Sequence, residues 1–195
     1  MTLAQAPAPA GGSLRRHPVL ADLFRAAEAR HLTAEELETY ARALPEHAAR
    51  AAAAAEVARH EGDVVGATVT DIFALFPFEE TYEFGHAKCT RDVRYVSAYA
   101  TLAMLMRDGA WYDEKLLQWM RTIVQAFRFP ERRRSRPVLF ARRDSDEKPR
   151  TPGLDAIRTT YTRLRDGYEK ALSADAFVLM RPYLQQTIDV LGREG

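Results

Sequence analysis

The stretch GHAKCTRDVRY, residues 85–95, contains the only cysteine of the chain and opens a run of residues that favours a helix to about Arg107. Residues three or four apart on a helix lie on one side of it. Four residues are spaced in this way: Cys89, Asp92, Tyr95 and Tyr99. The stretch therefore predicts a thiol, a carboxylate and two aromatic rings along one side of a single helix.

The neighbours of Cys89 predict an activated thiol. Lys88 and Arg91 put two cations near the sulfur, and a position in the first helical turn adds the positive end of the helix dipole. Each of these effects lowers the pKa of a thiol, and His86, three residues earlier, is placed to take its proton. Lys88 also precedes Asp92 by four residues, the spacing of a helical ion pair. A second interpretation stays open, in which Cys89 is a small apolar filler.

Length and composition indicate one globular domain. The chain has 195 residues, 47% apolar and 28% charged, with a formal net charge of +1. This balance gives no support to general binding of nucleic acid or of a membrane surface. A single cysteine excludes an internal disulfide, and neither a membrane-spanning run nor a secretory signal is recognisable, so we expect a cytoplasmic protein. Residues 1–17 are predicted to be a disordered tail and residues 18–195 a single domain.

Apolar residues recur at helical spacing almost from end to end. Thr33 and Glu36 form a capping-box pattern, and Pro45 marks a kink or a break soon after it. The next helix is predicted to stop at Gly62, with Asp63 capping a further helix. The most regular stripe lies near the end of the chain and consists of Leu154, Ile157, Tyr161, Leu164, Tyr168 and Leu172. The chain is thus predicted to be all-α, with about seven or eight helices arranged as in globins.

A basic insertion, residues 130–152, interrupts this pattern before the last two helices. Its first 21 residues carry seven arginines and one lysine against four acidic residues. One interpretation is a solvated insertion loop. The other is a docking surface for an acidic partner, or a clamp for a carboxylate-bearing ligand.

The phrase KCTRD followed by Tyr95, with ALFPF upstream, resembles the phycobiliproteins, bilin-carrying relatives of the globins such as phycocyanin and allophycocyanin. Further similar stretches follow in order along the chain, at residues 30–44, 56–78, 98–117 and 158–191. The resemblance implies a phycocyanin-type globin fold with two extra short N-terminal helices, a helical hairpin over residues 18–31. It also implies a bilin cofactor, a linear tetrapyrrole of the biliverdin or phycocyanobilin type.

The resemblance assigns a role to each residue of the motif. Cys89 matches the thiol that forms a thioether with a side group on ring A of the tetrapyrrole, and Asp92 matches the carboxylate that bridges the pyrrole N–H groups of the two central rings. Arg91 and Lys88 match cations that pair with the two propionates, and Tyr95 matches an aromatic residue packed against the chromophore. His86 completes the predicted bilin-binding set. The family supplies orientation and electrostatics to the pigment, so no enzymatic activity and no metal are expected.

Some residues depart from the antenna proteins of this family. Lys115 replaces an aromatic residue, MRDGAW replaces a Gly-Gly turn, and Pro45 interrupts a continuous helix. The better match is to the bilin-biosynthesis-associated globins of heterotrophic bacteria. This implies a bilin carrier, storage or photoactive protein rather than an antenna subunit, with a bilin-biosynthesis enzyme or a lyase as a possible partner. An apolar face, formed by Leu20, Leu23 and Phe24, predicts a homo-oligomer through the N-terminal helices.

Two other functions fit the residues. A haem-binding globin needs an axial histidine, for which His60 and His86 are the candidates; His17, His31 and His47 are predicted to lie on the surface. A tetrapyrrole-free globin for sensing or protein contact would leave Cys89 inert. In that case the aromatic cluster of Trp111, Tyr112 and Trp119 would belong to the core or to an interface. Replacement of Cys89 discriminates between these functions and covalent bilin binding.

Overall fold

The computed structural model describes residues 13–76, 85–126 and 152–193. Helices make up 84% of these residues and no strand occurs among them, which confirms the prediction of an all-α fold. In chain order the helices are α1 (Ala21–Ala26), α2 (Ala34–Ala43), a 3₁₀ turn (Pro45–His47), α3 (Ala48–Leu75), α4 (Gly85–Met106), α5 (Gly109–Tyr112), a π-helical turn (Asp113–Leu117), α6 (Gln118–Ala126), α7 (Pro152–Ala171) and α8 (Ala174–Leu191).

The longest helix, α3, lies at the centre of the domain and contacts α2, α4, α7 and α8. Its first half buries the small residues Ala51, Ala53 and Ala54, which let neighbouring helices approach closely. Its second half buries larger side chains, among them Val65 and Ile72. Because both halves bury apolar residues, α3 provides the surface against which the other long helices are arranged.

The predicted break at Gly62 is wrong. Helix α3 runs through Gly62, and Asp63 lies exposed in its interior instead of capping a new helix. One glycine inside a helix costs about 1 kcal/mol relative to alanine. Burial of Val64 and Val65 directly after it contributes more than that, since each fully buried valine stabilises by roughly 1.5–3 kcal/mol. The predicted capping box and the break at Pro45 are both confirmed.

The N-terminal segment, residues 18–31, packs against the rest of the domain. Residues 18–31 contain one helix, α1, between turns, where the sequence predicted two short helices. Leu20 and Phe24 are buried in the chain's own core, with the Phe24 ring 6.2 Å from that of Tyr40. The predicted self-association face is therefore not available, because two of its three residues already pack within the chain. The predicted tail is also shorter, since the amide of Leu14 donates to the carbonyl of Met106 at 2.8 Å.

The C-terminal end of α4 is held by side chains from two other helices. Arg50 donates to the carbonyl of Met104 at 2.8 Å, and the Tyr40 hydroxyl donates to the carbonyl of Leu105 at 2.9 Å. Arg107 follows with a φ of 58°, a left-handed conformation that glycine usually supplies at a helix end. These contacts satisfy carbonyls that a helix end leaves without partners, and they fix the axial position of α4.

Two buried hydrogen bonds join helices side to side. The hydroxyls of Ser97 and Tyr168 lie 2.6 Å apart between α4 and α7, and those of Tyr112 and Thr187 lie 2.7 Å apart between α5 and α8. Burial raises the pKa of both tyrosines, so both remain neutral hydrogen-bonding groups. The register between these helices is therefore set by specific polar pairs as well as by apolar packing.

The predicted basic insertion lies outside the described residues, except for Pro152, which begins α7. Its role and the proposed domain boundaries thus stay predictions. Across the described residues, no helix combines the length and the apolar character needed to cross a membrane.

The continuity of α3 can be tested at Gly62. A Cβ added there meets no atom within 4 Å, and the residue is exposed. Since alanine is favoured over glycine inside a helix by about 1 kcal/mol, we expect Gly62→Ala to raise the free energy of unfolding by about that amount. Urea unfolding followed by circular dichroism measures the change.

Gly167, in the interior of α7, provides the matched control. A Cβ at Gly167 lies 2.9 Å from the Cγ1 of Val64, which is buried and branched at Cβ. Overpacking costs about 1–3 kcal/mol and offsets the gain in helix propensity, so we expect Gly167→Ala to leave stability unchanged or to lower it. A loss of stability in Gly62→Ala would contradict a continuous α3.

Candidate functional site

The N-terminal half of α4 carries the predicted site and is positioned by its buried face. Val93, Val96 and Ala100 are buried, and α4 packs against α3 and α8. Cys89 is partly buried and packs against the same core. Asp92 lies at the edge of this face, with 34% of its side chain exposed. The predicted spacing is therefore confirmed as a single helix, on which Cys89 faces inward and Asp92 lies toward the rim.

Asp92 is paired with Arg91. The Arg91 Nη2 lies 2.7 Å and its Nε 2.8 Å from the Oδ1 of Asp92, and this hydrogen bonding raises the pKa of Arg91. The predicted Lys88–Asp92 ion pair is wrong, because the forked guanidinium of Arg91 directs two N–H groups at the carboxylate. Lys88 is exposed, and no ion pair joins it to another described residue. The second oxygen of Asp92, Oδ2, likewise receives no hydrogen bond within the described part of the chain.

Aromatic rings continue the site along α4. The Arg91 guanidinium lies over the ring of Tyr95, 6.0 Å from its centroid. One turn further, Tyr99 stacks on Trp111 of α5, with ring centroids 5.6 Å apart and planes inclined by 23°. Trp111 is buried and belongs to this wall, whereas Trp119 is 52% exposed on α6, so the predicted aromatic cluster is divided between core and surface. The sequence placed Trp111 in an aromatic cluster but did not indicate that Tyr99 would stack on it.

The predicted activation of Cys89 is wrong. Burial, together with the smaller effect of the negative charge of Asp92, raises the pKa of the Cys89 thiol to about 12. The two cations that were expected to lower this pKa are both exposed, and the charge of Arg91 is compensated by Asp92. Solvent screening and ion pairing thus remove the stabilisation that Lys88 and Arg91 would give a thiolate.

His86 lies within α4 but is turned toward α3. Its ring packs against Phe73, with centroids 5.1 Å apart and planes inclined by 59°. No hydrogen bond joins His86 to Cys89, both of which the structure describes. The structure therefore brings His86 to the edge of the site without placing it as the base for the thiol.

The other histidines are distributed over the domain. His60 lies within α3 and not at a helix end. His31 is largely buried, contrary to its predicted surface position, and its Nε2 lies 2.8 Å from the Oε1 of Glu61. His47 contacts Arg107, with 3.4 Å between His47 Nε2 and Arg107 Nη1.

One residue of the site comes from a distant part of the chain. Tyr161 of α7 is only 4% exposed. Burial raises its pKa well above the ordinary value, and the negative charges that Cys89, Tyr112 and Asp92 carry when ionised add to the effect, so its phenol lies within their electrostatic reach. The sequence placed Tyr161 in an apolar stripe of one helix. The periodic spacing of that stripe contained no signal that Tyr161 would also lie near Cys89 and Asp92.

The arrangement suits a linear tetrapyrrole with its N–H groups and propionates. Asp92 Oδ2 is available to accept hydrogen bonds, Lys88 is an exposed cation, and the rings of Tyr95 and Tyr99 are flat apolar surfaces. Tyr161 adds a hydroxyl that no described residue hydrogen-bonds and that is not fully enclosed by the protein. An open cleft elsewhere contains none of these groups; it is lined by Arg158, Ile188, Asp189, Gly192 and Arg193.

No curated protein matches the chain. A family model described as "Phycobilisome protein" matches residues 25–140, a range that includes all of α4 and every predicted site residue. This match covers more than half of the 195 residues and agrees with the all-α, globin-like fold. The chain therefore belongs to the phycobilisome protein family.

Proposed function

We propose that this chain binds a bilin along the N-terminal half of α4, with Cys89 as the point of thioether attachment. Membership of the phycobilisome family points to bilin binding and to a linear tetrapyrrole chromophore. The observation that carries the proposal is the meeting of a thiol, a carboxylate and aromatic rings on one helix: Cys89, Asp92, Tyr95 and Tyr99. When bound, the bilin supplies absorption of visible light, and the protein supplies its orientation and electrostatic environment.

Each side chain contributes a different interaction. Asp92 accepts N–H groups of the pigment through Oδ2, while Oδ1 stays with Arg91. Lys88 and Arg91 pair with propionates, and Tyr95 packs against a pyrrole ring. His86, stacked on Phe73, borders the site where α4 begins. None of these interactions is redox chemistry, and the family is non-enzymatic.

The state of Cys89 indicates how a thioether would form. The thiolate is the nucleophilic form of cysteine, and a pKa of about 12 leaves almost none of it at neutral pH. Spontaneous attachment at Sγ is therefore slow, and a partner that exposes or deprotonates the thiol would speed it. We assign this role to a lyase, or to a bilin-biosynthesis enzyme that delivers the pigment.

Two observations favour a carrier, storage or photoactive protein over an antenna subunit. Lys115, which takes the place of an aromatic residue, lies in the π-helical turn and contacts Glu28, with 3.4 Å between Nζ and Oε1. The apolar residues Leu20 and Phe24 are committed to the chain's own core. Proteins of this family oligomerise, but self-association of this chain would have to use another surface.

Covalent binding is tested by co-expression with a haem oxygenase, with and without a bilin reductase. We expect a red-absorbing band in the native protein and a fluorescent zinc–bilin band on a denaturing gel. Cys89→Ala should abolish the band on the gel, since the thioether cannot form. Asp92→Asn should shift the native absorption band, because the carboxylate that favours a protonated pigment is lost.

Thr90→Ala is the control, because the Thr90 hydroxyl bonds only to the carbonyl of His86 within α4. It should leave both bands unchanged. Native absorption without a band on the gel would replace the thioether with noncovalent binding. Absence of pigment in the parent chain would reject the proposal and favour a tetrapyrrole-free interaction globin.

The low reactivity of Cys89 is tested by alkylation with iodoacetamide at about pH 8. An ordinary thiol has a pKa of about 8.5, so we expect the folded chain to react roughly a hundred-fold more slowly than the urea-unfolded chain. Asp92→Asn should speed the reaction of the folded protein, because a negative charge that raises the pKa of Cys89 is removed. Asp71→Asn is the control, since Asp71 pairs with Arg163. Equal rates in folded and unfolded chains would contradict the buried thiol.

A further inference from the structure

Tyr161 differs from the other buried tyrosines of the described residues. A buried tyrosine usually finds a hydrogen-bond partner for its hydroxyl. Tyr183 lies beside the guanidinium of Arg50. Three more have a partner within 3 Å: Tyr40 with the carbonyl of Leu105, Tyr112 with Thr187, and Tyr168 with Ser97. Only 4% of Tyr161 is exposed, yet no described residue hydrogen-bonds its hydroxyl, which is not fully enclosed by the protein.

The position of Tyr161 follows from the register between α4 and α7. The Ser97–Tyr168 hydrogen bond fixes one level at which the two helices meet. Tyr161 precedes Tyr168 by seven residues, so it lies on the same face of α7 about 10 Å nearer its N-terminus. Helices α4 and α7 run in the same direction from this level, since His86 of α4 lies against Phe73 of α3 and Arg163 of α7 pairs with Asp71 of α3. A similar step back from Ser97 on α4 therefore reaches Asp92 and Cys89. The electrostatic influence of both residues on the phenol agrees with this placement.

We propose that the hydroxyl of Tyr161 is a hydrogen-bond donor kept for the bound bilin, and that it binds a carbonyl oxygen of the terminal ring nearest Cys89. This inference rests on the proposed function. Burial keeps the phenol protonated, so it donates and needs an acceptor. The carboxylates of a bilin already have cations to pair with, Lys88 and Arg91, whereas its ring carbonyls have no assigned donor.

This assignment predicts that the hydroxyl of Tyr161 matters for bilin binding and not for the stability of the pigment-free protein. In the pigment-free chain the hydroxyl of Tyr161 has no protein partner but is not fully enclosed, so water hydrogen-bonds it. Tyr161→Phe should therefore leave the melting temperature of the pigment-free protein nearly unchanged. The same change should weaken bilin binding, since the donor is lost. Replacement of a purely structural tyrosine would instead lower the melting temperature and leave bilin binding unchanged.

The experiment compares Tyr161→Phe with Tyr168→Phe, a change of the same kind two turns away on α7. For each pigment-free chain we would measure the melting temperature and titrate biliverdin without a lyase, following its absorption. Tyr161→Phe is expected to melt within about a degree of the parent chain and to bind biliverdin roughly ten-fold more weakly, with a shifted absorption maximum. Tyr168→Phe is expected to melt lower, because Ser97 loses its partner, and to bind biliverdin as the parent chain does.

The outcomes are distinguishable. If the parent chain binds biliverdin and Tyr161→Phe binds it equally well with an unchanged spectrum, Tyr161 does not contact the pigment and this inference is overturned alone. A lower melting temperature in Tyr161→Phe would also overturn it, since the hydroxyl would then already have a stabilising partner. If the parent chain takes up no bilin, the proposed function fails and this inference falls with it.

Discussion

Burial of one face of α4 against α3 is the constraint on which the rest of the site depends. Val93, Val96 and Ala100 orient the helix, and this orientation decides where every other side chain of the stretch is directed. Cys89, four residues before Val93, is drawn inward with this face, and Asp92 is left at its rim. The far end of α4 is capped by Arg50 and by other side chains, so the helix is fixed along its axis as well.

The same burial protects the Cys89 thiol but also slows the attachment of a pigment to it. A thiol packed against the core is shielded from adventitious oxidation and alkylation, since these reactions need an exposed thiolate. It is for the same reason slow to react with the correct partner. The ion pair between Arg91 and Asp92 reinforces this state, because it compensates the cation that would otherwise stabilise the thiolate. A site arranged in this way favours attachment that is controlled by a second protein over attachment on contact.

Hydrogen bonds buried between helices also decide which residues of α7 lie near the site on α4. The Ser97–Tyr168 hydrogen bond holds α7 against α4 and thereby brings Tyr161 level with Cys89 and Asp92. Residues 72 positions apart in the chain, Cys89 and Tyr161, become neighbours only through this register. The tyrosines that join helices are satisfied by protein partners, whereas Tyr161 is not, and this contrast distinguishes a binding group from a structural one.

The sequence by itself determined the helical class, the capping box at Thr33, the break at Pro45 and the helix that carries Cys89 and Asp92, because each depends on residues a few positions apart. Only the tertiary structure decided the rest. Helix α3 continues through Gly62 because long-range packing outweighs a local preference of about 1 kcal/mol. The pKa of Cys89 rises because burial, which depends on the whole fold, overrides the nearby cations. The place of Tyr161 in the site comes from packing between helices distant in sequence, which spacing along a single helix does not encode.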